Sequence, residues 1–349
     1  MFCPLSPETV PAQEARLGSS PQVASRRSSV GHLLATMVRM RDARPLPVPF
    51  QYAPFRVRDA LARDIPAGRL RRRDLESPVH GVRARAGSTV SRIDAIAVVL
   101  RPDQHFSHTS AASIWGAPLP SAARNGPVHV TSASDNAMRR TGVVGHRSAS
   151  TDVRLHCGKR VSAPAQMWFE CASLLELADL VVIGDHLVGR SGLATIDELA
   201  EAIRAGARAS RMARAALELI RVGAESAMET RVRLAVVDAG FPEPQLNIDV
   251  LDGAGKFLGR VDMAWPEYRI ALEYDGDHHR ERETFHHDQR RRNGFEVNGW
   301  LVIHVTAADA ARPAVMFERL RQAFALRVGR TRGQSTADRA VRAGLERRT

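Results

Sequence analysis

Three short strands follow one another between residues 246 and 275 and bring acidic side chains to one end of a sheet, an arrangement that few folds accommodate. Residues 246–250 begin a strand, and Asp252-Gly253-Ala254-Gly255-Lys256 carries the Asp-Gly signature of a hairpin turn. Residues 259–265 return with Asp262 among them, and after Pro266-Glu267 a third strand ends in Glu273-Tyr274-Asp275-Gly276. Side chains alternate along a strand, so Glu273 and Asp275 share one face while Leu272 and Tyr274 take the other. Carboxylates gathered at the end of a half-buried sheet repel one another, and burying them without a partner costs on the order of several kcal/mol. A hard divalent cation removes that cost, because Mg2+ (or Mn2+) prefers carboxylate oxygens and water. Asp262, Glu273 and Asp275 are therefore the candidate metal ligands.

The flanking segments fit the same reading. Residues 226–237 form an amphipathic helix, with Ser226 as N-cap and Glu229 placed to complete a capping box. Beyond the third strand come Gly276-Asp277-His278-His279, a basic helix over residues 283–295 with Asp288, Arg291 and Arg292, a strand over 299–305 and a closing helix over 313–327. His279 titrates near neutral pH in its ordinary state and suits proton transfer. Plainer roles stand beside these. Glu229 serves as a cap, Asp275-Gly276 as a turn, His286-His287 as a solvated surface, and Asp288, Arg291 and Arg292 as an ion-pair face that also touches phosphate.

The order helix–strand–strand–strand–helix–strand–helix, with Glu229, Asp262, Glu273-x-Asp275-Gly276, His279, Asp288-x-x-Arg291 and Gly299-Trp300 in place, resembles a known group. It is similar to the nuclease-like domain related to very-short-patch-repair endonucleases, within the restriction-endonuclease-like superfamily, over residues 223–330. The resemblance implies a mixed central sheet flanked by helices and metal-dependent cleavage of DNA. It implies Asp262 as the leading ligand, Glu273 or Asp275 as the second, Glu229 as an auxiliary acid and His279 as the proton-transfer residue. Most of that superfamily has a lysine two residues after the second acid, where this chain has Asp275; the very-short-patch-repair relatives rely on histidine instead. Those relatives also carry a structural zinc site, which Cys3, Cys157 and Cys171 cannot supply.

The remaining chain divides by composition. Residues 1–49 are rich in Ser, Pro and Arg without a sustained period and are expected to be disordered, with Met37 or Met40 as an alternative start. Residues 50–90 suggest a helix, a turn at Ile65-Pro66-Ala67-Gly68, a basic helix over 69–75 and a wing. This is a winged helix-turn-helix that would present Arg69, Arg71, Arg72 and Arg73 to DNA, or else a small helical unit with a solvated arginine face. It resembles the winged-helix portion of AbiEi-type antitoxins. A mixed α/β middle region over 91–192 follows, with the run from Ser107 to Ala112 and Trp115-Gly116-Ala117-Pro118 again similar to that group. His108 and His146 are candidate polar site residues there, or satisfied structural histidines. Residues 193–222 read as a helical linker and 331–349 as a basic flexible tail. The fold class is thus α+β or α/β.

The net charge of +12 favours contact with phosphate polyanions, and Arg291 and Arg292 join the candidate contacts. Lys159 and Lys256 are the only lysines, so a coding bias toward arginine explains part of that charge. No apolar run approaches the ~20 residues of a membrane span and no signal-peptide core is evident, so a cytoplasmic protein without a small-molecule cofactor is expected. A homodimer or a toxin–antitoxin partner stays open. The absence of a P-loop, a nucleophile elbow and a dinucleotide fingerprint argues against a small-substrate hydrolase. A metal-dependent endonuclease and a catalytically inactive, antitoxin-like DNA-binding regulator are left as the two functions.

Overall fold

Proline and glycine interrupt the first elements and keep them short. The computed structural model describes residues 44–148, 152–275 and 282–328, with the backbone alone for 282–288. Leu46 and Phe50 are already buried, flanking a 3-10 turn at Val48–Phe50, so order begins before residue 50, earlier than composition suggested. Then come β1 (Phe55–Arg56), α1 (Val57–Leu61), β2 (Leu75–Glu76) and β3 (Val82–Arg85), the strands pairing antiparallel in the order β1-β3-β2. Phe55, Ala60, Ile65 and Leu70 complete the small core.

The basic helix expected over 69–75 does not form. Arg69–Arg71 is a single 3-10 turn, and Arg72 is extended, with ψ 152°. Asp74 accepts both terminal nitrogens of Arg69, at 3.0 and 2.7 Å, and this local clip closes the turn in place of a further helical one. Among the described residues of 50–90, no second helix is long enough to enter a major groove. Arg71, Arg72 and Arg73 are exposed around the turn, while Arg69 is held by its partner.

The middle region carries α2 (Arg92–Ala97), β4 (Gln104–Phe106), α3 (His108–Ile114), α4 (Ser121–Arg124), β5 (Val128–Ser132), β6 (Val143–Arg147), β7 (Val153–His156) and β8 (Lys159–Ser162). Its strands make a five-stranded mixed sheet in the order β6-β5-β4-β8-β7. Four helices follow: α5 (Pro164–Cys171), α6 (Leu177–Val188), α7 (Ile196–Ala202) and α8 (Ser210–Leu219). Residues 193–222 are not a linker: Leu199, Ala213, Ala216 and Ile220 are buried in the same core as Phe106, Trp168 and Leu180. A methyl group on Gly184 would lie 2.2 Å from Ile220 Cδ1, so glycine lets α6 and the end of α8 approach.

The last region runs α9 (Ala227–Asp238), β9 (Gln245–Leu251), β10 (Phe257–Trp265), β11 (Ile270–Asp275), α10 (Arg282–Val297), β12 (Leu301–Thr306), α11 (Ala307–Ala311) and a helix α12 over 314–328, the order expected save for the short α11 between the last strand and the closing helix. Its mixed sheet is ordered β12-β11-β10-β9, with β11 and β12 parallel. One face packs Met263, Trp265, Ile270, Leu272 and Val305 on Val232 and Val236 of α9 and on Leu320 of α12. The other packs Val250, Val261, Ala264 and Ala271 on Phe295 of α10. No described helix is long and apolar enough to cross a membrane.

α6 is buried on nearly every side, as is Asp185 within it. That carboxylate accepts from Arg233 Nη2 and Thr230 Oγ1 of α9, each at 2.9 Å, and from the Arg221 amide at 2.7 Å. Arg233 is itself 1% exposed and also donates to the Leu219 carbonyl. Removing one partner strands a buried charge. Asp185→Ala is expected to lower the unfolding free energy by about 3–5 kcal/mol, read by urea denaturation. Asp185→Ala/Arg233→Ala should cost clearly less than the sum of the two single changes; strict additivity would mean that the pair is not coupled.

Candidate functional site

The acids are placed by a twist in the last sheet. Asn247 in β9 has φ +46°, a left-handed conformation that asparagine tolerates. On one side of it Ile248 pairs with Val261, and on the other Leu246 pairs with Met263. Residues two apart on a regular strand share a face, yet the first pair packs toward α10 and the second toward α9 and α12. The faces exchange at Asn247 and Asp262, so Asp262 sits where neither core claims its side chain.

There Asp262 Oδ2 accepts the Tyr274 amide at 2.7 Å, tying β10 to the acidic end of β11. Burial chiefly, then the like charges of Glu229 and Glu273, push the Asp262 carboxyl up from 3.8 to about 6, against the opposing pull of the Tyr274 amide and Arg291. Glu229 is buried at the start of α9. Ser226 caps that helix through the Glu229 amide at 3.2 Å, but the reciprocal half of the capping box is missing. The Glu229 carboxylate instead accepts from the Glu225 amide at 2.9 Å and from Asn247 Nδ2 at 2.7 Å. Glu229 thus anchors the residue that twists the sheet.

Glu273 is 7% exposed, and Arg291 of α10 spans both of its oxygens, one at 3.0 Å. The guanidinium stacks over Phe295 at 5.2 Å and approaches the β10 backbone at Gly259, where a Cβ would lie 2.6 Å from Arg291 Nε. Arg291, expected to touch nucleic acid, therefore faces inward onto an acid, while Arg292 is exposed. Asp275 and Glu273 share the α10 face, and His304, opposite Glu273 in β12, brings Nδ1 to 3.4 Å from Asp275 and 3.8 Å from Glu273. Glu273, Asp275, Arg291, Arg292, Val302 and His304 line a small open pocket of about 60 Å³.

Three carboxylate oxygens within reach of one ion are not already assembled. Among the described residues, the one group of three or more ligating side chains with atoms all within 4.8 Å of one another is His108, His129 and His146. The charges of Glu229 and Glu273 act on Asp262, whereas Asp275 lies beside His304. His279 lies outside the described residues, as do His278 and the side chains of His286 and His287. The sequence reading overlooked His304, Asn247 and His129. For His304 a signal existed, since parallel pairing of the last strand with Glu273-x-Asp275 sets it beside the acids.

No family model matches the chain, and no solved structure matches it. Two proteins from two strains of Mycobacterium tuberculosis, each described as uncharacterized, are 30% identical to it over 179 residues. The match covers 50% of this chain, which spans 65% of the length of each relative.

The raised carboxyl has a measurable consequence. In the unfolded chain an aspartate ionises near its ordinary value, so between about pH 4 and pH 6 the folded metal-free protein holds a proton that the unfolded one has lost. The upward shift therefore lowers stability as pH rises through this window, by about 1–2 kcal/mol once partial solvation is allowed for. Asp262→Asn should raise the unfolding free energy of metal-free protein by that amount at pH 8 and leave it unchanged at pH 4. A gain of equal size at both would show that the charge is not responsible.

Proposed function

We propose that this protein is a metal-dependent endonuclease-like enzyme that hydrolyses phosphodiester bonds of DNA at the centre formed by Glu229, Asp262, Glu273 and Asp275. The observation that carries this reading is the Asp262 carboxylate, buried at the twist of the sheet and bound to the Tyr274 amide, with the charges of Glu229 and Glu273 acting on it. An acid held in that way gains most from a cation, and perturbed acids of this kind gather at functional sites. The order of elements and the helices on both faces of the sheet support placing residues 223–330 with the restriction-endonuclease-like superfamily.

The donors are hard oxygens and fit Mg2+ or Mn2+, with Asp262 and Glu273 as holders and Asp275 beside them. When bound, such an ion would stabilise charge on the phosphate and acidify an attacking water. Glu229 positions Asn247 and keeps Asp262 aimed along the edge of β11. Arg291 neutralises Glu273 and has to release at least one oxygen before the ion is seated. His304 Nδ1 stands 3.4 Å from Asp275 and positions that carboxylate, and His279 is the proton carrier that the resemblance implies. Arg71, Arg72, Arg73 and Arg292 are exposed and supply charge for the DNA backbone.

One observation favours a second reading. Arg291 already occupies the Glu273 carboxylate, and Asp275 stands where a catalytic lysine is usual, so the acids also suit a catalytically silent centre in an antitoxin-like DNA-binding regulator.

Supercoiled plasmid incubated with the purified chain and Mg2+ or Mn2+ separates the two. Nicking or cutting is expected, reduced roughly 100-fold or more in Asp262→Asn and in Glu273→Gln, with gel-shift binding of DNA retained. Binding without cleavage in the wild type, unchanged by Asp262→Asn and weakened by Arg71→Ala/Arg73→Ala, would assign the regulator instead.

A further inference from the structure

The middle sheet holds a second cluster of ligating side chains, remote in sequence from the acids. His129 lies on β5 and His146 on β6, the latter an edge strand. The parallel register sets Thr131 opposite His146 and Val144 opposite His129, so both imidazoles project from the same face. His108 reaches them from the first position of α3.

The rings are closely packed. His129 Nδ1 and His146 Nε2 are 2.9 Å apart, and the His108 ring stacks on that of His146 with centroids 3.8 Å apart and planes at 18°. One ring nitrogen from each of the three lies within 4.8 Å of one from each of the others. His108 and His129 are 8% and 7% exposed.

Several features point beyond a satisfied structural cluster. His108 has φ +50°, a left-handed conformation uncommon for a non-glycine residue and found where a site over-determines the backbone. Ser107 Oγ lies 2.9 Å from His108 Nδ1, which leaves Nε2 for the neighbouring rings. Glu170 accepts the His108 amide at 3.0 Å and so fixes the backbone that carries the ring, whose Nδ1 is held by Ser107 Oγ. Ser110 Oγ accepts the His129 amide at 2.8 Å and holds β5 against α3. Burial pushes the His108 and His129 imidazoles down to about 3 and about 4, and that of His146 down as well, so all three are neutral with a lone pair to offer. His105 on β4, Arg160 on β8 and Glu170 are the other titratable groups in this neighbourhood, and His105 is kept neutral in the same way.

We propose that His108, His129 and His146 form a binding site for a borderline divalent cation of the Zn2+ class, held by three imidazole nitrogens with a fourth position open to water or a substrate donor. Nitrogen-only ligation selects Zn2+, Co2+, Ni2+ or Cu2+ over Mg2+. Bond lengths of about 2.0–2.1 Å imply nitrogens roughly 3.3 Å apart, so the rings, now stacked with planes at 18–27°, swing out of the stack when their nitrogens converge on the ion. For the ion to bind between His129 and His146, the ring that donates across that contact takes its proton on its other nitrogen, so that both facing nitrogens offer a lone pair. This site is independent of the acidic centre and stands whether or not that centre cuts DNA.

The test uses the full chain stripped with EDTA and titrated with Co2+. The expected result is the visible absorption of tetrahedral Co2+, saturating near one equivalent, displaced by Zn2+ and accompanied by a Zn2+-dependent rise in Tm that Mg2+ does not produce. His146→Asn, on an edge strand, should keep the metal-free far-UV spectrum and Tm while losing both signals, and His129→Gln should lose them too. Ser107→Ala should weaken the metal by about 10-fold. His286→Asn/His287→Asn should behave as the wild type. No absorption band, a band unchanged in His146→Asn and His129→Gln, or an equal Tm shift with Mg2+ would overturn the assignment.

Discussion

The ion pair between Arg233 and Asp185 joins the two larger regions of this protein. Both side chains are almost wholly removed from water: the carboxylate accepts from Arg233 and Thr230 of α9 and from the Arg221 amide, and the guanidinium donates to Asp185, the Leu219 carbonyl and Glu243. A buried pair of this sort contributes specificity of docking more than net stability, because desolvation offsets much of the attraction. It holds α9 against α6 in one rotation. Since α9 also carries Glu229, the same pair orients the acidic centre relative to the rest of the chain.

From α9 the constraint passes to the sheet. Glu229 holds Asn247, Asn247 turns β9 through its left-handed residue, and the faces of the sheet exchange at Asp262. Acids from α9, β10 and β11 then act on one another, and among the described residues Arg291 pairs with Glu273. That guanidinium offsets the charge of Glu273, and Asp262, desolvated by burial first and repelled by Glu229 and Glu273 second, keeps a raised carboxyl. The centre is therefore stable as a protein and still favours a further positive charge, the condition a metal or a phosphate-bound ion requires.

Much of the last region was legible because its strands alternate and its turns and caps are local. Asp252 accepts from the amides of Ala254 and Lys256, so the hairpin is written in five residues. Ser226 caps α9, and α10, β12 and the closing helix follow their apolar periods. The region after residue 50 misled for an equally local reason: Arg69 to Arg73 has good helix formers, but Asp74 clips back onto Arg69 and Leu70 is buried after a single turn. Residues 193–222 misled because α7 presents acids outward and α8 presents Arg211 and Arg214, and Ala213 and Ala216 of α8 read as neutral spacing until they are seen buried in the core with α6.

The sequence alone determined the order of elements from α9 onward, the position of the acids on their strands and the basic character of the surface, since strand period, turn chemistry and composition depend on neighbours along the chain. Tertiary structure alone decided which acids meet, that Arg291 turns inward onto Glu273, that His304 joins Asp275, and that His108, His129 and His146 converge from three separate segments. Those outcomes depend on sheet register, on one left-handed asparagine and on the burial of a single ion pair. Each is a long-range choice made when layers pack, and no window of sequence contains it.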